Sequence, residues 1–195
     1  VLRTFAEIDW LLTHELELSR TDYSALYDLV SGIRDDMLPY AARKEQSLVM
    51  SERKAGLSGA EVMASNERLR TLVGELIINA CKFSERNTTV FIIVDTAYGA
   101  MQISVINKPT PDEQGRVGIP LGYENIVLEP FFRMTRTVFE GYDTLDYGLG
   151  LTLADKIARK HGGKISISNI IDYSDLSREP VTKVNVSVSV PLTVA

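Results

Sequence analysis

Apolar residues recur at helical spacing through residues 66–84. They occupy offsets 0, 3, 4, 7, 8, 11 and 12, the 3.6-residue period of a helix that buries one face. The members of this stripe are Leu69, Leu72, Val73, Leu76, Ile77, Ala80 and Cys81. Weaker patterns of the same period predict further helices over residues 1–13, 22–44 and 151–161.

Alternation of apolar and polar residues predicts the strands. It is clearest in residues 181–190, where valines alternate with Asn and Ser, and in the pair 89–95 and 101–106, which a turn containing Gly99 joins. Shorter candidate strands are residues 15–19, 47–51 and 164–168. Because strands and helices follow one another without regular βαβ alternation, the pattern predicts an α+β fold, a two-layer sandwich. The polar or Gly- and Pro-containing segments 52–64, 107–123 and 133–147 are predicted as loops.

The composition narrows the function only slightly. Hydrophobic residues make up 45% and charged residues 24% of the chain, as in ordinary globular proteins. A net charge of −5 offers no basic face, so we expect no nucleic-acid partner. The single cysteine excludes an internal disulfide, and no apolar run approaches the roughly 20 residues that cross a bilayer. These features indicate a cytoplasmic domain, although the full-length protein can still be membrane-anchored.

Three polar residues on helix 66–84 are the first candidates for chemistry. Glu75, Asn79 and Lys82 are spaced i, i+4, i+7, beside the apolar stripe, where side chains can enter a cleft. An amide oxygen suits Mg²⁺, an ammonium suits phosphate, and a carboxylate can orient or deprotonate a reacting group. The same spacing also suits a solvated helix face, so this pattern alone leaves both interpretations open.

Two further segments carry candidate residues. Gly148 and Gly150 stand directly before helix 151–161, where they let the backbone approach a ligand and turn the first amides of the helix toward an anion. Residues 129–133 (EPFFR) end on Arg133, whose guanidinium can bind phosphate. Glycines before a helix can also serve only the turn, and adjacent aromatics are typical of a core.

In this order the three segments resemble the motifs of a known ATP-binding superfamily. Residues 75–84 (ELIINACKFS) resemble the N box shared by gyrase, Hsp90, histidine kinases and MutL. Residues 129–133 look like the F box of histidine kinases, and residues 146–151 (DYGLGL) look like their G2 box. The resemblance covers residues 46–192. It implies a Bergerat ATP-binding fold, in which a mixed sheet packs against about three helices.

The resemblance also implies ATP and Mg²⁺ as cofactors and assigns roles to residues. Asn79 is the implied Mg²⁺ ligand, Glu75 and Arg133 the implied catalytic residues, and the loop between Phe132 and Gly148 the implied ATP lid. The other implied nucleotide contacts are Lys82, Phe83, Asn107, Gly118, Ile119, Phe132, Gly148, Leu149, Gly150, Leu151 and Thr152.

One motif departs from the family pattern. The family's G1 box is an aspartate followed closely by glycines and then Ile-Pro, whereas this chain has Asn107 and only later Gly118-Ile119-Pro120. Residues 111–117 therefore look like an insertion that splits the box. The neutral amide of Asn107 can still accept a hydrogen bond from the adenine amino group, but more weakly than a carboxylate would.

The resemblance implies the catalytic domain of a two-component sensor histidine kinase. Residues 46–195 would be the ATP-binding domain, and residues 1–45 the tail of the helical dimerisation domain with a linker helix. The γ-phosphoryl group of ATP would pass to a histidine of the same or a partner subunit of a homodimer, and later to a response regulator. Because the chain begins within a predicted helix, we expect it to be a piece of a longer protein.

The phosphoacceptor is expected outside this chain. A strand rather than a helix is predicted after His14, and only one helix separates it from strand 47–51, so we interpret His14 as a linker residue. The fragment alone should therefore be inactive as a kinase. Two alternatives stay open: an ATP-hydrolysing domain of the gyrase or MutL kind, in which Glu75 activates water, and a degenerate interaction domain that has lost nucleotide.

Overall fold

A computed structural model describes residues 2–57, 59–134, 147–177 and 179–193. Within them, one mixed five-stranded sheet packs against helices, and a two-stranded sheet lies beside it. The helices are α1 (Leu2–Thr13), α2 (Tyr23–Ala42), α3 (Asn66–Phe83) and α4 (Gly150–Lys160). The strands are β1 (Ser19–Asp22), β2 (Ser47–Met50), β3 (Glu61–Ala64), β4 (Thr89–Ala97), β5 (Ala100–Asn107), β6 (Lys164–Asp172) and β7 (Val181–Pro191).

The large sheet has the strand order β2-β4-β5-β7-β6. Strand β2 runs parallel to β4, and the other neighbours are antiparallel, so the sheet is mixed, as predicted. One face of each central strand is buried: Val90, Ile92 and Val94 alternate with less buried residues along β4. The predicted apolar stripe of α3 is buried along its whole length against this face. The predicted two-layer α+β sandwich is confirmed.

The small sheet is the main departure from the sequence pattern. Residues 52–64 are predicted as loop, yet Glu61–Ala64 forms β3, which pairs antiparallel with β1. The predicted strand 15–19 lies instead at Ser19–Asp22. Each strand has four residues, too few for alternation to be visible, and its partner is distant in sequence. Pairing buries Thr21 against its register partner Val62, which a local pattern does not reveal.

Helix α2 contributes to the same core as α3. It begins after Asp22, the N-cap, whose Oδ1 accepts a hydrogen bond from Ala25 N at 2.8 Å. Tyr23 is fully buried, and its hydroxyl donates to the carbonyl of Val94 at 3.3 Å. A domain boundary near residue 45 stays a prediction about the longer protein. Among the described residues, no helix combines the length and apolar character that a bilayer crossing requires.

Candidate functional site

Helix α3 carries Glu75, Asn79 and Lys82 along the flank of its buried stripe. Glu75 and Asn79 are half-buried, and Lys82 is 5% exposed. The alternative of a solvated helix face does not fit Lys82, which is buried, and fits Glu75 and Asn79 only in part. Burial of charged groups is costly without compensating partners, so the arrangement indicates a site rather than a surface.

The end of α3 is fixed by two side chains from the segment after α2. The Nζ atom of Lys44 donates to the carbonyl oxygens of Lys82 and Ser84, and Gln46 Nε2 donates to the carbonyl of Cys81 at 3.1 Å. These bonds satisfy carbonyls that have no partner within the helix. They also hold the backbone around Lys82 in one position, which orients the last residues of the predicted N box.

The N-terminus of α4 meets α3 directly at Gly150. A Cβ atom added at this position would overlap Glu75 Oε2 and come within 3.3 Å of Glu75 Cδ and 3.8 Å of Asn79 Nδ2. With glycine at this position, the helix approaches these side chains without displacing the carboxyl group of Glu75. The structure thus brings the predicted N box and G2 box together, although 71 residues separate Asn79 from Gly150 in the sequence.

The first turn of α4 has the features of an anion site. Its N-cap residue, Leu149, makes no side-chain capping bond, and the first intrahelical bond runs from Leu153 N to Leu149 O at 2.9 Å. The backbone N–H groups of Gly150, Leu151 and Thr152 precede that bond at the positive end of the helix dipole. The hydroxyl of Thr152 donates to the carbonyl of Leu128 at 2.9 Å, so its proton is already engaged.

Burial sets the protonation of Glu75. Desolvation raises the pKa of its carboxyl group, Lys82 opposes this shift, and Glu7 of α1 adds to it. The carboxyl group therefore takes up a proton at a higher pH than an exposed glutamate does. Perturbation of this kind, next to a buried ammonium and a helix N-terminus, is typical of functional sites.

Close backbone contacts join the predicted F box to the predicted G2 box. Phe131 N donates to the carbonyl of Gly148 at 3.1 Å, and a Cβ atom at Gly148, which has φ +69°, would lie 2.5 Å from the carbonyl of Phe132. Phe131 itself has φ +64°, a left-handed conformation that is unfavourable for an aromatic residue. This contact fixes both ends of the segment predicted as ATP lid. Residues 135–146 of that segment, including Asp146 of the G2 box, lie outside the described residues.

The aromatic rings of the F box pack on neighbours from distant segments. Phe132 lies 5.9 Å from the ring of Tyr123, and Phe131 lies 5.4 Å from the ring of Phe5 on α1. Arg133 is exposed at the start of the predicted lid. Its contact with phosphate stays a prediction.

The split G1 box has its two halves on different elements. Asn107 is the last residue of β5 and is 4% exposed. Gly118 and Ile119 lie against β6, where the amide group of Asn169 binds the backbone of Ile119. Asn169 was not identifiable from a motif. It follows Ile165 and Ile167 at strand spacing along β6, but its side chain is exposed, so alternation does not mark it.

The two histidines have structural contacts. The ring of His14 stacks on Trp10, with 4.9 Å between ring centroids, directly after α1 ends. His161 is buried: its Nε2 accepts from Ser65 N at 3.0 Å, and its Nδ1 lies 2.8 Å from the carbonyl of Ile157. Burial lowers the pKa of His161, so the ring is held neutral and does not serve as a charge for the helix dipole.

The donor set fits a metal that arrives with phosphates. Among the described residues, no group of three or more His, Cys, Asp or Glu side chains could hold a metal ion. Mg²⁺ is commonly bound by one or two protein oxygens together with substrate phosphates and water. Asn79 supplies an amide group beside the anion-attracting first turn of α4, on the helix that also carries Lys82, and its oxygen would be the protein ligand in that mode of binding.

Comparisons with known sequences identify the family of the chain. A model of the histidine kinase-, DNA gyrase B-, and HSP90-like ATPase family matches residues 64–194, more than half of the chain. Sensor histidine kinase RppB of Synechocystis sp. is 27% identical over 187 residues, 90% of this chain and 38% of that protein. Adaptive-response sensory kinase SasA of Gloeothece citriformis is 30% identical over 112 residues, 57% of this chain and 26% of that protein. The chain spans less than half the length of these relatives.

Solved structures share the fold. The nucleotide-free catalytic domain of histidine kinase ThkA matches with a TM-score of 0.65 at 21% identity, covering 90% of this chain and 96% of that one. Full-length ShkA in complex with AMPPNP matches with a TM-score of 0.70 at 19% identity, covering 100% of this chain and 35% of that one. The chain therefore belongs to the histidine kinase-, DNA gyrase B- and HSP90-like ATPase family, as an ATP-binding catalytic domain of the sensor histidine kinase type.

Proposed function

We propose that this domain binds Mg-ATP between α3 and α4 and directs its γ-phosphoryl group to a histidine outside this chain. The observation that carries the proposal is the close approach of Gly150 to Glu75 and Asn79. It places the amide group of Asn79, the carboxyl group of Glu75 and a helix N-terminus around one point. That combination suits phosphoryl transfer, in which the protein mainly positions the reactants and neutralises charge.

Each residue then has a defined task. Asn79 holds Mg²⁺, which when bound neutralises charge on the phosphates. Lys82 and the first amides of α4 bind phosphate oxygens, and Arg133 approaches the same group from the lid. Glu75 accepts a hydrogen bond from the attacking imidazole and increases its nucleophilicity, for which its carboxyl group has to be ionised. Asn107 accepts from the adenine amino group, with Phe83, Gly118, Ile119, Phe132, Leu149 and Leu151 around the nucleoside.

The partners belong to the longer protein. The phosphoacceptor histidine is on the same or the partner subunit of a homodimer, and a response regulator receives the phosphoryl group from it. This part of the proposal rests on the relatives, each of which is described as a sensory or sensor kinase. Because ATP is a cytoplasmic substrate, the proposal places the domain in the cytoplasm.

Calorimetry with Mg-ADP tests the nucleotide site. The Asn79→Ala variant should lose measurable affinity, whereas Glu67→Gln, on an exposed position near the start of the same helix, should bind as the wild type does. Both variants should unfold at a similar denaturant concentration, because Asn79 is only half-buried. An unchanged affinity of the Asn79→Ala variant for Mg-ADP would contradict the assignment of this site to Mg-ATP.

The same preparations separate the two alternatives. Steady conversion of ATP to ADP by the chain alone would favour water activation by Glu75, as in an ATP-hydrolysing domain. An unchanged thermal unfolding temperature with saturating Mg-ADP would favour a nucleotide-free interaction domain, because any ligand that binds only the folded state stabilises it. The kinase proposal expects stabilisation by Mg-ADP and no steady turnover.

A further inference from the structure

Asn169 forms a two-point hydrogen-bonded clamp with the backbone of Ile119. Ile119 N donates to Asn169 Oδ1 at 2.9 Å, and Asn169 Nδ2 donates to the carbonyl of Ile119 at 2.8 Å. The side chain thus acts as a strand neighbour would, with both its donor and its acceptor engaged. It also touches the preceding residue: a Cβ atom at Gly118, which has φ +91°, would overlap Oδ1 and lie 3.0 Å from Cγ.

The register of the sheet places this clamp in the same row as Asn107. Val184 of β7 is the register partner of Asn107 on one side and of Asn169 on the other. All three side chains are therefore on the same face of the sheet, and Asn107 and Asn169 are two strands, or roughly 10 Å, apart. Because Asn107 and Val184 are buried on the helix-covered face, Asn169 lies at the outer end of that row.

The chain between Asn107 and Gly118 does not run along this row. Its first part binds the end of α3, through Thr110 N to Phe83 O at 2.8 Å and Glu85 N to Lys108 O at 3.1 Å. Its second part folds on itself, because one carboxyl oxygen of Asp112 accepts from the backbone N–H groups of Gln114 and Arg116 at 2.9 Å. Neither set of bonds fixes Gly118 relative to Asn107.

We propose that Asn169 is a positioning residue for nucleotide recognition, which holds Gly118 and Ile119 beside Asn107 across the insertion. In a short G1 box, covalent spacing alone sets that distance. Here residues 111–117 remove the covalent constraint, and the clamp on β6 replaces it. The inference rests on the proposed function, since Gly118 and Ile119 matter in this way only if the nucleoside lies between them and Asn107.

Two measurements on the chain as it stands test the inference. Hydrogen exchange of the Ile119 amide reports the clamp without any nucleotide, and calorimetry with Mg-ADP and Mg-GDP reports its effect on base recognition. In Asn169→Ala the Ile119 amide should lose protection, affinity for Mg-ADP should fall about tenfold, and the preference for Mg-ADP over Mg-GDP should narrow. Ser168→Ala, on the opposite face of β6, is the matched control and should change none of these.

A conservative variant separates positioning from folding. Asn169→Asp keeps the acceptor for Ile119 N but loses the donor to Ile119 O, so its affinity for Mg-ADP should lie between wild type and Asn169→Ala. If Asn169→Ala does not fold, Asn169→Asp carries the same comparison. Equal losses for Mg-ADP and Mg-GDP, or an unchanged Mg-ADP affinity, would overturn the inference. If the wild type binds neither nucleotide, the proposed function fails, and with it the role in recognition; exchange at Ile119 then shows only whether the clamp itself exists.

Discussion

Gly150 lies against Glu75 with no room for a side chain between them: a Cβ atom at position 150 would overlap Oε2 of the carboxyl group. This relationship joins the two helices that form the site. A larger residue at position 150 would require the carboxyl group of Glu75 or the first turn of α4 to shift.

The Gly150→Ala variant should therefore distinguish an effect on nucleotide affinity from an effect on folding stability. The added methyl group displaces Glu75 or the first turn of α4, so we expect affinity for Mg-ADP to fall at least tenfold, or about 1.4 kcal/mol. Calorimetry measures this loss. Gly32→Ala, within α2, is the control: a Cβ atom there meets nothing within 4 Å, so the variant should keep its affinity and be more stable by roughly 0.5–1 kcal/mol. Wild-type affinity in Gly150→Ala would contradict the tight contact.

His161 should make stability depend on pH. Burial lowers its pKa from the ordinary value of 6.5, so its contribution to folding is fully present above that value and is lost as pH falls through the folded-state pKa. Protonation of Nε2 would remove the acceptor for Ser65 N. We expect the difference in unfolding free energy between wild type and His161→Gln to shrink below pH about 6.5. Urea titrations from pH 5 to 8 measure it.

Subtraction of the variant's curve cancels the contributions of the other titrating groups, including Glu75, whose pKa burial raises. The chain has two histidines, so His14→Gln is the natural control. His14 is exposed, so its replacement should change the free energy of unfolding little. A difference between wild type and His161→Gln that stays constant across this pH range would rule out the neutral, hydrogen-bonded state of His161.

Local sequence patterns predicted those features of the fold that depend on a single helix or strand. The apolar stripe of α3 and the alternation of β7 follow from burial of one face, and both elements are observed within a residue or two of the predicted bounds. The polar flank of α3 was visible for the same reason, because helical geometry alone places Glu75 and Asn79 on one side. The glycines at the start of α4 were also visible within one short segment of the sequence.

What the patterns did not reveal depends on pairs that are distant in sequence. Strands β1 and β3 are too short to show alternation and exist because they pair with each other. The bond from Ser65 to His161 and the clamp of Asn169 on Ile119 each join segments on different elements. Only the assembled fold brings such partners together, so no single-segment signal identifies them.

Gly162 and Gly163, which follow α4, should lose different amounts of stability when replaced by alanine. Gly163 has no space for a Cβ atom, which would overlap the carbonyl oxygen of Ser189 in β7, whereas Gly162 has space but a φ of +68°. Gly163→Ala should therefore cost at least ~2 kcal/mol of unfolding free energy, because rigid backbone has to move. Gly162→Ala should cost roughly 1 kcal/mol, and Gly162→Asn less, since asparagine tolerates this conformation. Urea unfolding of the three variants measures the order, and an equal cost for both alanines would contradict it.

The protonation of Glu75 should respond to charges on two different helices. Glu7 of α1 raises the pKa of its carboxyl group and Lys82 of α3 lowers it, each on top of the larger effect of burial. Glu7→Gln should therefore lower the pKa of Glu75, and Lys82→Met should raise it, whereas Glu113→Gln, in the exposed insertion, should leave it unchanged. Titration of the side-chain carboxyl carbon by NMR measures all three.

The direction of the Glu7 effect decides whether α1 influences the chemistry. If Glu75 has to be ionised to engage the attacking imidazole, a carboxylate on α1 shifts the acid limb of phosphoryl transfer toward higher pH, and Glu7→Gln shifts it back. A pKa of Glu75 that is the same in wild type and Glu7→Gln would show that burial alone sets it. In that case α1 would influence the site through packing, as in the contact of Phe5 with Phe131, and not through its charge.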